Sequence, residues 1–277
     1  MTTLYYENSK GQIIDFMTFP FRLMSYDGDS YELEYELTES SLGSKINKFK
    51  RTLQKKSMTL LIKSDTIEQR RIDMDTFFEI TNYDVDNLTP GKLWKNNQYM
   101  ECYFMAVDNE ALSSNSMLLK KTIVIVSENP TWITESKFEY AIASESVGGI
   151  DFPFDYAHDY ATTVRNDRVI NNHYVPIDFV MRIYGACDNP YVYIAGHLYQ
   201  VNVTLYDNDY LEIDSKKGTI INHKSNGTTI NCFNMRNKQS SVFEKIPIGN
   251  NFVTWSGQFS FDIILRIERS EPKWSLS

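Results

Sequence analysis

Three aspartates recur at every fourth position in the stretch "DFPFDYAHDY": Asp151, Asp155 and Asp159, with aromatic residues between them. Carboxylates are the ligands that hard cations take, and such a site needs several of their oxygens to converge within coordination distance. A spacing of four aligns the three on one face only in a helix. Pro153 and the crowded aromatics disfavour a helix there. An extended chain lines up Asp151, Pro153, Asp155 and Ala157 instead. The aspartates then serve turns by accepting backbone N–H bonds, while Phe152, Phe154, Tyr156 and Tyr160 grip neighbouring surfaces. The stretch reads as structural, and no residue is assigned to a metal or a cofactor.

The other chemistry-bearing residues are dispersed. His158, His173, His197 and His223 stand apart, and Cys102, Cys187 and Cys232 share no metal or redox spacing, so the cysteines read as reduced core residues. The motifs of nucleophile elbows, phosphate loops, zinc proteases and EF-hands are absent. Acidic pairs abound, but a glycosidase pair meets only in the fold, so no catalytic residue is assigned; the chain is read as a non-enzyme, with a β-sandwich glycosidase as the minor alternative. One run stands out by charge: "SKINKFKRTLQKK" carries Lys45, Lys48, Lys50, Arg51, Lys55 and Lys56 with no acid. It is either an anion- or partner-binding loop or the lysine guard of an exposed strand edge.

The elements that must position these residues are mostly strands. At 277 residues the chain has room for two domains or one large all-β domain. Its 42% hydrophobic content is enough for a core, and 18 Tyr with 16 Phe suit half-buried strand surfaces. The formal charge of -8 argues against a general nucleic-acid binder. The opening "MTTLYYENSKGQ" lacks a secretory pattern, and no run approaches the ~20 apolar residues of a membrane helix. Asn202-Val-Thr and Asn226-Gly-Thr match glycosylation sequons, which carry little weight without such a signal.

In "SYELEYELTE", Tyr31, Leu33, Tyr35 and Leu37 alternate with Glu32, Glu34 and Glu36, the period of a half-exposed strand. Ile72, Met74, Phe77, Ile80 and Tyr83 or Asp84 approximate helical spacing, which predicts one helix over 72–83. Asn96-Asn97 predicts a tight turn between two strands, and Asn129-Pro130 a strand end. Beyond residue 175 the pattern is almost purely β: "LYQVNVTL" and "QFSFDIILRIE" alternate throughout, with turn residues at Ala195-Gly196, Lys217-Gly218 and Asn226-Gly227. The expectation is a mainly β protein with one helix: a first domain over 1–145, a connector over 146–175 and a β-sandwich over 176–277.

Several stretches together resemble the distal tail proteins of siphophages. "DFPFDYAHDY" resembles the aromatic segment between that family's two domains. "LTPGKLWKNNQYMECYFMAV" is similar to its Asn-turn hairpin, and "TIVIVSENPTWI" to the strand ending in Asn/Asp-Pro-x-Trp. "IYGACDNPYVYIAGHLYQVN", "LEIDSKKGTII", "NGTTINCFN", "SVFEKIPIGNN" and "RSEPKW" resemble stretches of its C-terminal domain. The similarity runs from about Ile13 to Trp274. It implies an N-terminal ring-forming domain, a galectin-like C-terminal β-sandwich, and an extreme C-terminus that packs back on the first domain.

The resemblance further implies a virion structural protein, made in the host cytoplasm and placed at the tail tip or baseplate. There it forms a homo-hexameric ring wide enough for phage DNA to pass. Its implied partners are the tail tube protein, the tail-associated hub protein, the tape measure protein and the receptor-binding proteins, with no membrane and no specific nucleic acid. No catalytic residue carries over. Candidate ring-interface residues are Glu32 and Glu34 on the acidic strand, facing Lys45, Lys48, Lys50 and Arg51 of a neighbour. A reading from another class is a carbohydrate- or receptor-binding tail module recognising host cell-surface glycans, with Tyr191, Tyr193, Tyr199 and Tyr206 as stacking rings. The galectin sugar motif has no counterpart here, since Trp255-Ser-Gly lacks its acid, and fold analogy alone does not make a lectin.

Overall fold

Alternating strands account for most of the chain. The computed structural model describes residues 3–41, 43–111, 117–142 and 168–274. The aspartate-rich stretch and its aromatics, Phe152, Phe154, Tyr156 and Tyr160, lie outside the described residues. The chain divides into two compact units, one formed by Met1–Thr134 with Glu268–Ser277 and the other by Glu135–Ile267.

The first unit holds β1 (Leu4–Glu7), β2 (Ile13–Asp15), β3 (Phe21–Tyr26), β4 (Glu34–Ser40), β5 (Gly43–Lys50) and β6 (Gln54–Lys63). After α1 (Ile67–Asp86) come β7 (Gly91–Lys95), β8 (Gln98–Ala111), β9 (Leu118–Ser127) and β10 (Trp132–Tyr140), whose last residues belong to the second unit. Among the described residues, β1 pairs β2 and β7, β6 pairs β3 and β9, and β8 pairs β7, β9 and β10, each antiparallel. Strand β8 serves two ladders. Residues 98–102 continue the order β2-β1-β7-β8, and from Tyr103 on, with a bulge between Phe104 and Ala106, the strand pairs β9, which leads on to β6 and β3. A bulge bends a strand, so one strand can turn between two directions of pairing. Asn96 takes φ +56 in the β7–β8 turn that its Asn-Asn sequence predicts.

Helix α1 is longer than the predicted 72–83. It starts at Ile67 because the Thr66 hydroxyl accepts from the Gln69 N–H at 3.0 Å, a cap legible in the sequence Thr-x-x-Gln. Its buried stripe is narrow: Phe77, Ile80, Thr81 and Asp84. Ile72, expected in the core, is exposed, as is Phe78. Phe77 packs against Phe21 at 5.3 Å and Phe104 at 6.2 Å between ring centroids.

Asp84 is fully buried and holds the helix to the first strands. It accepts from the Ser9 N–H at 2.9 Å, the Ser9 hydroxyl at 2.6 Å and the Tyr6 hydroxyl. Burial first, then this bond to Asp84, raises the Tyr6 phenol far above its ordinary range. Gly91 passes so close that any Cβ there would collide with the Tyr6 hydroxyl and the Asp84 carboxylate.

The second unit holds β11 (Arg168–Asn171), β12 (Phe179–Tyr184), β13 (Cys187–Asp188), β14 (Tyr191–Ile194), β15 (His197–Gln200), β16 (Thr204–Leu205) and β17 (Tyr210–Asp214). It continues with β18 (Thr219–His223), β19 (Thr229–Asn231), β20 (Gly249–Trp255) and β21 (Phe261–Arg269), the last two residues of which return to the first unit. One sheet runs β19-β18-β17-β12-β21 and the other β11-β20-β14-β15. Their inward residues form a single core, with Phe179, Met181, Leu211, Ile213, Phe261 and Ile263 from one sheet and Val169, Val192, Ile194, Tyr199 and Val253 from the other. This is a β-sandwich, in which each strand alternates between core and outside.

Two details differ from the sequence pattern. "LYQVNVTL" is not one strand: β15 ends at Gln200, Asn202 donates its N–H to Met235, and β16 pairs β13. Asp262, on the outward side of β21, is nevertheless buried, held by Lys137 at 3.0 Å and the Tyr184 hydroxyl at 2.6 Å.

The compact second unit begins before the aromatic stretch. Tyr140 stacks on Phe261 at 4.5 Å, and β11 pairs β20 with Val169 completely buried. The last described residues belong to the first unit, where Gln98 and Lys273 exchange two hydrogen bonds of 3.0 and 2.7 Å. A fragment spanning Glu135–Ile267 is therefore expected to show a β-type circular dichroism spectrum and cooperative melting on its own. One starting at Val175 lacks Tyr140 and Val169 and should melt without a sharp transition. In the whole chain, Asp84→Ala strands the buried Tyr6 hydroxyl and removes the acceptor of the Ser9 N–H and hydroxyl. Denaturant unfolding should show a loss of about 2–4 kcal/mol.

Candidate functional site

Strands β4 and β5 form a two-stranded ribbon that pairs with no other described strand, and every described residue in it is exposed. The acidic strand and most of the basic run are thus the two arms of one hairpin. The run read as either a binding loop or a lysine-guarded strand edge is β5 and the start of β6, and the strand expected to be half-exposed is exposed on both faces. In register, Glu34 faces Lys50 and Glu36 faces Lys48, while Tyr35 faces Phe49 and Leu37 faces Ile46. A bulge between Glu36 and Leu37 absorbs Asn47, which hydrogen-bonds Thr38. That one extra residue keeps Phe49 and Ile46 on the same side.

The ribbon therefore has a charged face and an apolar one. Tyr35 is 58% exposed, Phe49 59%, and Leu37 and Ile46 46% each, a contiguous apolar surface with nothing described against it. Two-stranded hairpins are marginal in water, and exposed apolar patches of this kind mark contact sites. On the other face Lys50 forms an ion pair with Glu36. The hydrogen bond from Lys50 holds the Glu36 carboxyl below its ordinary range, and Glu36 raises Lys50 in return.

The remaining sequence candidates fall around the ribbon's base. Glu32 and Glu34 line an open cleft with Lys55 and Lys56. Arg51 follows β5 and reaches the Ser270 hydroxyl at 3.5 Å. Lys56, counted with the basic run, is buried, with its ammonium on the Ser30 carbonyl. Desolvation lowers its pKa. The apolar partners Ile46 and Phe49 escaped the sequence reading because they sit among lysines; the signal was their alternation with Lys45, Asn47, Lys48 and Lys50.

No group of three or more His, Cys, Asp or Glu is placed to hold a metal among the described residues. His158 and the three aspartates lie outside them. His197 sits 2.7 Å from the Ser241 carbonyl, and the neighbouring Ser240 hydroxyl donates to the Leu198 carbonyl. Cys102 is buried, and burial raises its thiol well above the ordinary range. Of the four tyrosines considered for stacking, Tyr199 is buried with its hydroxyl on the Glu244 carbonyl at 2.9 Å. Tyr191, Tyr193 and Tyr206 are exposed. Trp255 is half-buried against Tyr140 and Phe261 and donates to the Phe259 carbonyl at 3.2 Å, so it belongs to the core.

No protein family's sequence profile matches the chain, and no curated protein matches it. Solved structures do. The crystal structure of SPP1 Dit (gp 19.1), described as a paradigm of hub adsorption apparatus in Gram-positive infecting phages, is similar with a TM-score of 0.59. The identity is 13%, over 97% of this chain and 99% of that one. The phage P2 baseplate in its activated conformation with Ca matches with a TM-score of 0.66, at 12% identity over 98% of this chain and 100% of the other. The same baseplate with Sr gives 0.65 at 12% identity and equal coverage. The chain has the fold of a phage tail hub and baseplate protein. The likeness spans both units and almost nothing is left over on either side.

One buried charge in the first unit stands apart from these surfaces. Lys121 is 4% exposed on the core side of β9, with its ammonium 4.6 Å from the Phe77 ring centre and 4.0 Å from the Met74 sulfur. Desolvation pulls its pKa down from 10.5 to about 8. The unfolded chain then holds the proton that the folded chain has lost, so stability rises with pH between about 8 and 10.5. Lys121→Met should unfold at higher denaturant at pH 7, by roughly 2–3 kcal/mol, with the difference shrinking toward pH 10.5 in urea titrations.

Proposed function

We propose that this protein is a structural hub of a long non-contractile phage or prophage tail tip, joining the tail tube to the tail-associated hub protein and the host-adhesion apparatus. The observation that carries the reading is the fold likeness to tail hub and baseplate proteins along essentially the whole of both chains. The function is architectural, with no turnover assigned to any residue. The protein acts in the virion, at the end of the tail.

A tube has closed rotational symmetry, so a hub that continues it needs head-to-tail contacts that close after a fixed rotation. We take the ring to be a hexamer and the β4–β5 ribbon to be its principal contact. Its apolar face, Tyr35, Leu37, Ile46 and Phe49, packs on the neighbouring copy and covers surface that a lone subunit leaves wet. The charged face, with Lys45, Lys48, Lys50 and Arg51 against Glu32 and Glu34, sets direction and register more than affinity. Since Glu36 and Lys50 already pair within one ribbon, charge between copies is the smaller contribution.

Light scattering coupled to size-exclusion chromatography, across protein concentration and salt, tests this reading. The expected species is a hexamer that Tyr35→Ser with Phe49→Ser reduces to monomer. Reversal of Lys48, Lys50 and Arg51 to Glu should weaken it more modestly, by roughly 0–1 kcal/mol per charge, with the effect fading in high salt. A stable trimer closed by residues 135–267 alone would count against the hub reading.

A further inference from the structure

The second unit carries a small built cleft at one end of its four-stranded sheet. It has a volume of about 270 Å³ and is lined by Asp188, Asn189, Tyr191, Ser256 and Gln258 over a floor of Pro190 and Phe259. The Asp188 carboxylate is held in place from both sides: Oδ1 accepts from the Thr204 hydroxyl at 2.6 Å and Oδ2 from the Asn189 side-chain amide at 3.0 Å. Each oxygen retains a lone pair for a ligand. The amides of Asn189 and Gln258 and the hydroxyl of Ser256 add donors and acceptors around an exposed aromatic wall, Tyr191. The half-buried Cys187 thiol, raised to about 11 chiefly by burial and then by Asp188, stays neutral and supplies no nucleophile.

The wall continues along the outer face of the sheet. Tyr193 lies edge-on to Tyr191 with centroids 6.0 Å apart, and Thr254 is in register with Tyr193. Phe252, 64% exposed, follows two residues along the same strand face under the Arg168 guanidinium, 4.4 Å away. All of these residues project from the side opposite the core.

We propose that this cleft binds one residue of a neutral sugar, with the aromatic row beside it supporting the rest of a glycan chain. A pyranose has a C–H face that stacks on an aromatic ring and a rim of hydroxyls that both donate and accept. The cleft pairs one exposed ring with one oriented carboxylate and three neutral polar side chains. Its lining has no basic residue, so phosphate, sulfate and acidic sugars would meet only the Asp188 charge, which repels them. The volume of about 270 Å³ is just below the ~300 Å³ at which drug-sized ligand pockets begin, which suits a single ring and is too small for a helix or a folded peptide segment. The cleft lies wholly in the second unit and the ribbon in the first, so a failure of sugar binding leaves the assembly reading standing, and the reverse.

Saturation-transfer NMR on the full chain tests this with the methyl glycosides of glucose, galactose, rhamnose and N-acetylglucosamine, and glucose 6-phosphate as the anionic control. The expected result is transfer to the ring protons of at least one neutral glycoside. Binding should weaken tenfold or more in Tyr191→Ala and in the near-isosteric Asp188→Asn, and be unchanged in Tyr174→Ala, an exposed tyrosine outside the cleft. Near-UV circular dichroism checks that each variant is folded, and Gln258→Ala, an exposed position, gives a further loss if the cleft is the site. The proposal is overturned if no neutral glycoside receives transfer, if binding survives Tyr191→Ala undiminished, or if the phosphate is preferred.

Discussion

A strand has two faces, and an apolar one has to find cover. That constraint organises the whole protein. In the second unit two sheets cover each other, with Phe179, Phe261 and Ile263 meeting Val192, Ile194 and Val253. In the first unit the bulged strand β8 turns from one ladder to another, and helix α1 closes the core with Phe77 and Ile80. Where cover is missing, the surface points to a partner. The β4–β5 ribbon leaves Tyr35, Leu37, Ile46 and Phe49 bare, which is costly for a lone subunit and useful for a repeating one.

Polar groups inside these cores are satisfied in contrasting ways. Asp84 gathers three donors from two residues and so ties the helix to the N-terminal strands, at a point where Gly91 must lack a side chain. Lys121 rests instead on a ring and a thioether. The first arrangement favours one packing of the helix, because the carboxylate accepts those donors only when the helix is docked. The second lowers the lysine's proton affinity and makes the stability of the first unit depend on alkaline pH.

The fold and the function rest on different kinds of support. Near 12% identity, the matched structures share the course of the chain far more than its side chains. A scaffold role tolerates this well, since a ring contact needs shape and an apolar face more than particular atoms. A sugar cleft is the opposite case: it depends on Tyr191, Asp188 and their immediate neighbours.

Much of the architecture was legible in local sequence. Period-two alternation marked the strands of both units, as in "QFSFDIILRIE", whose Phe261, Ile263 and Leu265 are all fully buried. Asn96 and Ala195-Gly196 marked turns, and both of the latter take the positive φ that a tight hairpin turn requires. The helix was visible, and its true start was written in Thr66 and Gln69. Alternation says that a strand has two unlike faces, however, and says nothing of what lies over each. Only the tertiary structure decided that Ile72 is wet, that Lys121 and Asp262 are buried, and that the glutamates of β4 and the lysines of β5 face each other in one ribbon. Burial is set by elements distant in sequence, whereas the period of a strand is set by its own backbone.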